Sequence, residues 1–455
     1  MRFSELEGKR VGVWGAGREI GSFACQLAKR LPRARIAVVA FDEPPQDARD
    51  GAEALGAPGA RVVHGDEIGP ALAGCDAIVR SPGVSIYRDE LQSLDVPVTT
   101  ATSLWLAEHG PNGVLAITGT KGKSTTAALA HHLAQAAGAD PLLAGNIGAP
   151  ALDLLGEDTS RPVVLELSSY QIADLASGPQ VALVTNLYDE HLDWHRSREA
   201  YRHDKLRILT LPGVAATVLN AREEQLSGLG ASRRFAAPEG WDVVPGQGVA
   251  FAGELRARSE ELPLRGEHNL LDLCAALTGL EALGIEAPSS LPDALAGFAG
   301  LAHRLQELGE TDGVLWVDDS ISTTPQSALA ALASYPERQV VLIAGGQDRG
   351  QDYDGLAQEL KRRAATVIGI PTTGPRVIEA ACGAGVSHED ALEAPDLAAA
   401  VELARVRAQR GSVVLLSPAA PSYDHFVNFE ARGRRFRELL GLDQDSSEAP
   451  SASDC

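Results

Sequence analysis

Residues 114–138, VLAITGTKGKSTTAALAHHLAQAAG, decide how this chain is read. VLAIT has the composition of a buried strand, and the apolar positions after Ser124 recur at helical spacing. GTKGKST therefore joins the carboxyl end of a strand to the amino end of a helix. A loop in that place aims backbone N–H groups and the positive end of the helix dipole at phosphate oxygens. Gly119 and Gly122 let the backbone bend and approach closely, and Thr120, Lys121 and Thr125 complete the loop. Lys123 reaches the outer phosphates, and the Ser124 hydroxyl is placed for Mg²⁺. The leading glycine stands three residues before Gly122, where the usual Walker spacing has five. The ordinary alternative is a tight strand-to-helix turn. Lysine usage weighs against it: of 40 basic residues only Lys9, Lys29, Lys121, Lys123, Lys205 and Lys361 are lysine. A lysine kept inside a motif suggests that arginine would not serve.

Outward from this loop, 455 residues imply roughly two to four domains. With 44% hydrophobic and 22% charged residues, the chain has the mix of a soluble globular protein. A formal charge of −21 argues against general affinity for nucleic acid or an anionic membrane. Glu5, Glu7 and Lys9 interrupt any early apolar run, so no secretory signal is expected. No apolar run approaches the ~18 residues of a membrane span. Cys25, Cys75, Cys274, Cys382 and Cys455 are scattered without a CxxC pair, so incidental thiols in a cytoplasmic protein are expected.

The chain opens with a strand (Val11–Trp14), glycines at 15, 17 and 21, a helical pattern and a second strand ending before Asp42. That order starts a doubly wound parallel sheet. Arg61–His64 and Ala77–Val79 continue it, the latter leading into Ser81-Pro82-Gly83. A second unit begins near Thr99 and a third near Leu305, where VLWVDDS, QVVLIAGG, AATVIGI and SVVLLSPAAPS alternate with helical segments. Residues 234–263 read as short strands and loops. The expected organisation is an α/β protein of three domains, 1–98, 99–304 and 305–442, with a disordered tail at 443–455.

Further polar groups fall at the carboxyl ends of predicted strands, where open α/β sheets bind ligands. Glu166 is a carboxylate in an apolar strand and needs a partner. Asn186, Glu190, His191 and Asp193 crowd the end of the next strand, and Lys205 follows on a helix. Each has a plain structural alternative: an ion pair for Glu166, a capping or core role for His191, a surface position for Lys205. Together after a phosphate loop they suit Mg²⁺–nucleotide chemistry.

TGTKGKST, GNIG, ELSSYQ, NLYDEHLDWH, GEHN, HRL, DDSISTTP and SPAAPSYDHFVNFEARGRRF occur in the order found in the Mur ligases of peptidoglycan synthesis. The chain resembles that family over all but its tail, most closely the branch adding glutamate to UDP-N-acetylmuramoyl-L-alanine. The resemblance implies a Rossmann-like domain for the UDP-sugar, a central phosphate-loop ATPase with a parallel sheet, and a Rossmann-like domain for the amino acid. It further implies that ATP activates a carboxylate as an acyl phosphate, which the amine of glutamate attacks. By motif, Gly119 to Thr125, Asn269, Arg304 and Asp319 would bind ATP. Ser124 and Glu166 would hold one Mg²⁺, and His191 with a carbamylated Lys205 a second. Lys123, Glu166, His191 and Lys205 form the implied catalytic set. Gly15, Gly17, Ser81, Gly83 and Asn146 would face the UDP-sugar, and Thr323, Arg349, Ser422 and Phe429 the glutamate. A monomer is expected.

Three features depart from the pattern. GAGREIG has Ile20 where a dinucleotide fingerprint wants a glycine, which disfavours a dehydrogenase. Asp272 stands where the family usually has asparagine, bringing a negative charge near the phosphates, while His268 and Asn269 are retained. Ile321 and Arg349 replace lysines common in the D-glutamate enzymes, so the resemblance favours L-glutamate, arginine being able to grip a carboxylate bidentately. D-glutamate is the alternative, with a folylpolyglutamate synthase or a non-ligating ATP switch as remoter ones.

Overall fold

The computed structural model describes all of the chain except residues 16, 43–54, 58, 189, 191, 265, 299, 301, 349, 423 and 443–455. It forms two compact units, Met1–Phe298 and Ala299–Asp454.

Among the described residues the first unit contains three sheets. Strands β1 (Arg10–Trp14), β2 (Arg35–Phe41), β3 (Arg61–His64), β4 (Ala77–Arg80) and β5 (Val98–Thr99) pair in parallel in the order β3-β2-β1-β4-β5. Helix α1 (Arg18–Arg30) follows β1, and α2 (Ala101–His109) leads to the second sheet. Its strands are β6 (Val114–Thr118), β7 (Leu142–Gly145), β8 (Val163–Glu166), β9 (Val181–Val184), β10 (Ala216–Asn220) and β11 (Arg233–Phe235). All pair in parallel, in the order β11-β10-β9-β6-β8-β7. The chain passes outward from β6 to β7, returns to β8 and crosses to β9. The sheet's switch point thus lies at β6, and its crevice opens at the carboxyl ends of β6, β8 and β9.

Helices α3 (Lys123–Ala136), α4 (Ser169–Ile172), α5 (Leu192–His195) and α6 (Arg198–Leu206) carry the polar residues around that crevice. Residues 241–258 form a small antiparallel sheet, β12 (Trp241–Val244), β13 (Gly248–Phe251) and β14 (Glu254–Arg258). Helix α7 (Glu267–Leu283), apolar on most sides, packs against α3. One hydrophobic core runs from Val11, Ile20 and Phe23 through Trp105 to Leu152, Leu165 and Tyr201. The two parallel sheets of this unit therefore share their packing.

In the second unit β15 (Gln306–Thr311) pairs antiparallel with β16 (Val314–Asp318). The remaining strands, β17 (Val340–Ala344), β18 (Thr366–Gly369), β19 (Ala391–Glu393) and β20 (Val413–Leu416), are parallel, in the order β15-β16-β20-β17-β18-β19. Helix α8 (Pro325–Ala333) starts on a Thr324 cap, and α9 (Phe429–Leu439) closes the unit on an Asn428 cap. No helix among the described residues is long and apolar enough to cross a membrane. Cys75, Cys274 and Cys382 are free thiols.

Candidate active site

The phosphate loop is shaped by two glycines. Gly119 has φ +146°, and a Cβ there would lie 1.9 Å from Thr185 Oγ1. Gly122 has φ +79°, and its Cβ would lie 2.3 Å from Asp272 Oδ1. Side chains are thus excluded at both positions by backbone conformation and by space. Asn186, at the end of β9, holds the loop: its Oδ1 accepts from the backbone N–H of Thr120 (3.1 Å) and Lys121 (2.8 Å), and its Nδ2 donates to Lys121 O (3.0 Å). Lys123 Nζ donates to Thr120 O at 2.9 Å, and Ser124 is buried in the first turn of α3, with Thr125 half-buried beside it. Lys121 is exposed and pairs with Glu190 at 2.5 Å.

Glu166 ends β8 and is 0% exposed. Its Oε1 accepts from Asn146 Nδ2 at 3.1 Å, whereas its buried Oε2 has no hydrogen-bond partner. An ionised carboxylate oxygen left in this state is costly, and a cation would satisfy it. The Asn146 loop is itself held by Arg18, whose guanidinium donates to the carbonyls of Gly145, Asn146 and Gly148 at 2.8, 2.9 and 3.0 Å.

Lys205 is 2% exposed on α6, and its Nζ donates to Gly119 O at 2.8 Å. Burial, then the neighbouring Lys123 charge, holds this amine well below the usual lysine range, against the opposing pull of Glu190 and Glu166. Lys123, Glu166, Glu190 and Lys205 thus converge on the phosphate loop. His191 lies outside the described residues. Among those described, no three His, Cys, Asp or Glu side chains cluster as a metal site. The donor set that fits Mg²⁺ is the unpartnered Glu166 oxygen with the Ser124 hydroxyl, both oxygen ligands of the kind that ion takes.

Asp272, on α7, is buried against Gly122, and its Oδ1 accepts from Thr126 Oγ1 at 3.2 Å. It faces the start of α3, where the helix dipole favours negative charge. His268 is exposed in the first turn of α7. Asn269 lies in the first turn of α7.

At the first sheet, the Gly15 turn and the Ser81 turn face each other. A Cβ on Gly15 (φ +100°) would lie 2.7 Å from Ser81 Cβ, and one on Gly17 would lie 3.4 Å from Ser81 Oγ. Arg80, fully buried, fixes the Ser81 turn: Nη1 donates to Val84 O (2.9 Å), Pro82 O (3.2 Å) and Ser81 O (3.3 Å), Nη2 to Tyr170 O (2.9 Å) and Nε to Asp174 Oδ2 (2.9 Å). Trp194 donates from Nε1 to Pro82 O and Gly83 O, each at 3.1 Å, and stacks on Tyr170. Gly83, Ser85, Tyr87, Arg88, Trp194 and Arg196 line a cavity of about 340 Å³ beside this turn.

In the second unit, Asp319 is 2% exposed; Oδ1 accepts from Leu305 N–H (3.1 Å) and Oδ2 from Ser417 Oγ (2.7 Å). Burial raises its pKa to about 6. Arg304 Nε is buried without a hydrogen-bond partner. Ile321 and Thr323 are half-buried on the segment leading to α8, and Ser422 is buried after β20. Arg432, 1% exposed, ties these loops together, donating to Ser320 O (2.8 Å), Ser320 Oγ (3.0 Å) and Ala420 O (3.2 Å). Phe429 accepts from Ser320 Oγ through its backbone oxygen, and its ring meets His303 edge-on. Arg349 lies outside the described residues.

Sequence reasoning missed Arg18, Arg80, Trp194 and Arg432, which hold loops in place. The signal was present for Arg80 alone: it is a charged residue closing a wholly buried strand.

The family model for the Mur ligase middle domain matches residues 117–236, and that for the Mur ligase, glutamate ligase domain matches residues 303–420. A protein from Xanthomonas axonopodis pv. citri named UDP-N-acetylmuramoyl-L-alanine--L-glutamate ligase is 41% identical over 463 residues, covering 97% of each chain. A protein of that name from Salinispora tropica is 41% identical over 453 residues, covering 97% of this chain and 99% of the relative. Among solved structures, UDP-N-acetylmuramate-alanine ligase MurC from Thermotoga maritima has a TM-score of 0.59 at 20% identity, covering 95% of this chain and 99% of that one. MurF ligase from Thermotoga maritima, solved with ADP, has a TM-score of 0.56 at 17% identity, covering 96% of each chain. These two are similar in fold. The motifs built around the phosphate loop and the near full-length relatives agree: the chain belongs to the Mur ligase family.

Proposed function

We propose that this chain is an ATP-dependent cytoplasmic ligase that joins L-glutamate to UDP-N-acetylmuramoyl-L-alanine, releasing ADP and phosphate. The observation that carries the chemistry is the convergence of Lys123, Glu166 and the buried Lys205 on the phosphate loop. The names of the near full-length relatives support the substrates and the L hand.

A carboxylate resists attack by an amine, so the reaction needs a better leaving group. In the proposed mechanism the substrate carboxylate oxygen attacks the γ-phosphorus of ATP, forming an acyl phosphate and ADP. The unprotonated amine of glutamate then adds to the acyl carbon. Collapse of the tetrahedral adduct expels phosphate, and the amine gives up a proton. The loop N–H groups and Lys123 hold the phosphates and balance charge that grows during transfer. Bound Mg²⁺, held by Ser124 and Glu166, would neutralise the phosphate oxygens further. Asn146 orients the Glu166 carboxylate. Lys205, whose amine burial holds well below the usual lysine range, suits carbamylation: its nitrogen bonds to the carbon of CO₂ and loses a proton, leaving a carboxylate beside the loop. Arginine, protonated throughout, has no such reaction. Gly15, Gly17, Ser81 and Gly83 would hold the UDP-sugar, with Asn269, Arg304 and Asp319 on ATP. Thr323, Arg349, Ser422 and Phe429 would take glutamate.

A turnover assay offering L- and D-glutamate separately tests this reading. Phosphate release should require both UDP-N-acetylmuramoyl-L-alanine and L-glutamate. Equal or faster turnover with D-glutamate would overturn the assigned hand, and release without either substrate would overturn the ligase.

A further inference from the structure

Helix α6 carries more than Lys205. The preceding residue, Asp204, is 2% exposed and accepts from Tyr87 OH at Oδ1 (3.0 Å) and Oδ2 (2.9 Å). Its Oδ2 also lies 2.7 Å from His195 Nδ1, and His195 Nε2 lies 2.9 Å from Ser169 Oγ. His195 is 0% and Ser169 2% exposed. This polar chain joins three segments: the loop after the Ser81 turn, the α5–α6 pair, and the start of α4 just beyond Glu166. A buried carboxylate with several partners in one geometry has few other arrangements open to it.

We infer that Tyr87 and His195, acting through Asp204, are positioning residues for the Lys205 amine. Consecutive side chains on a helix point about 100° apart. Asp204 can therefore fix the rotation of α6 on one side while Lys205 faces the phosphate loop on another. The helix is nine residues long. A second polar anchor, Tyr201 OH on Thr120 Oγ1 at 2.8 Å, lies one turn back and joins the same loop. The two anchors together set both the height and the turn of α6, and so where Lys205 Nζ meets Gly119 O. The catalytic consequence rests on the proposed ligase reaction; the positioning of the amine does not.

Tyr87→Phe tests it, because the ring and its edge contact with Trp194 remain while the hydroxyl is lost. Two readouts are taken. First, the full chain is labelled with acetic anhydride and each lysine followed by mass spectrometry. Lys205 should label at least about threefold faster in Tyr87→Phe, with Lys9, Lys29 and Lys361 unchanged and the unfolding temperature within about 2 °C of wild type. Second, kcat should fall about tenfold with KM for the UDP-sugar within about twofold. His195→Asn, whose amide keeps a donor at the Nδ1 position facing Asp204, should resemble wild type in both, and His195→Leu should resemble Tyr87→Phe. Unchanged Lys205 labelling in Tyr87→Phe, or His195→Asn as impaired as His195→Leu, would overturn the relay. Absence of turnover in wild type would instead strike the proposed reaction, leaving the labelling result to judge the relay.

Discussion

Replacing Arg80 by methionine would test how the Ser81 turn is held. The side chain is fully buried, pairs with Asp174 at 2.9 Å and donates to four backbone carbonyls. Methionine fills similar volume, so the loss is one of charge and hydrogen bonds more than of packing. Removing one partner of a buried ion pair costs about 3–5 kcal/mol, because the other charge stays behind. The orphaned carbonyls share in that loss and their separate costs do not add. The unit should therefore lose about 3 kcal/mol or more, on the order of 6 °C in unfolding temperature. Burial already raises the Asp174 pKa, and the Arg80 charge opposes that rise. Without Arg80 the folded-state pKa climbs further, so Asp174 destabilises the fold above that value and ceases to do so once protonated. The defect should be larger at pH 8 than at pH 5. Guanidinium unfolding of wild type, Arg80→Met, Asp174→Leu and the double variant at both pH values measures all of this. The double variant should be more stable than Arg80→Met alone. KM for the UDP-sugar should rise in Arg80→Met as the turn loosens. A loss below about 1 kcal/mol, or simple addition of the two single effects, would refute the reasoning.

Gly119→Ala puts a methyl group 1.9 Å from Thr185 Oγ1 at a backbone angle reserved for glycine. At about 2 kcal/mol or more of strain, the Kd of a non-hydrolysable ATP analogue should rise at least ~30-fold by calorimetry, and an unchanged Kd would show that the nucleotide does not need this loop conformation. Lys205→Ala should lower turnover by at least about a hundredfold, with partial recovery from added acetate or formate; no recovery would count against carbamylation. Asp319 has a folded pKa of about 6 against 3.8 unperturbed, so the folded state keeps a proton that the unfolded chain releases. Stability should then fall as pH rises from about 4 to 6, by roughly 3 kcal/mol in all. Asp319→Asn should remove that slope, and unfolding free energies that stay parallel between wild type and variant would refute it.

The elements and the phosphate loop were legible in the residues alone. Continuous apolar runs such as VLAIT, VVLE and VALV can only be buried parallel strands in a chain with glycine turns and helices between them, and they became β6, β8 and β9. Strand β15 was not legible, because QELGET is polar and exposed at a sheet edge and draws its pairing from β16 rather than from its own residues. Lysine scarcity singled out Lys121, Lys123 and Lys205, but did not show that Lys123 and Lys205 turn toward the loop while Lys121 pairs outward with Glu190. Those directions depend on crossover order, which brings residue 205 back onto residue 119. The shared core between the first two sheets was likewise a tertiary outcome, since apolar patterning says that a face is buried but not against what. The same holds for Arg18, Arg80 and Asp204. A charged residue in a sequence reads as surface, and only folding supplies the carbonyls, carboxylates and hydroxyls that make its burial tolerable.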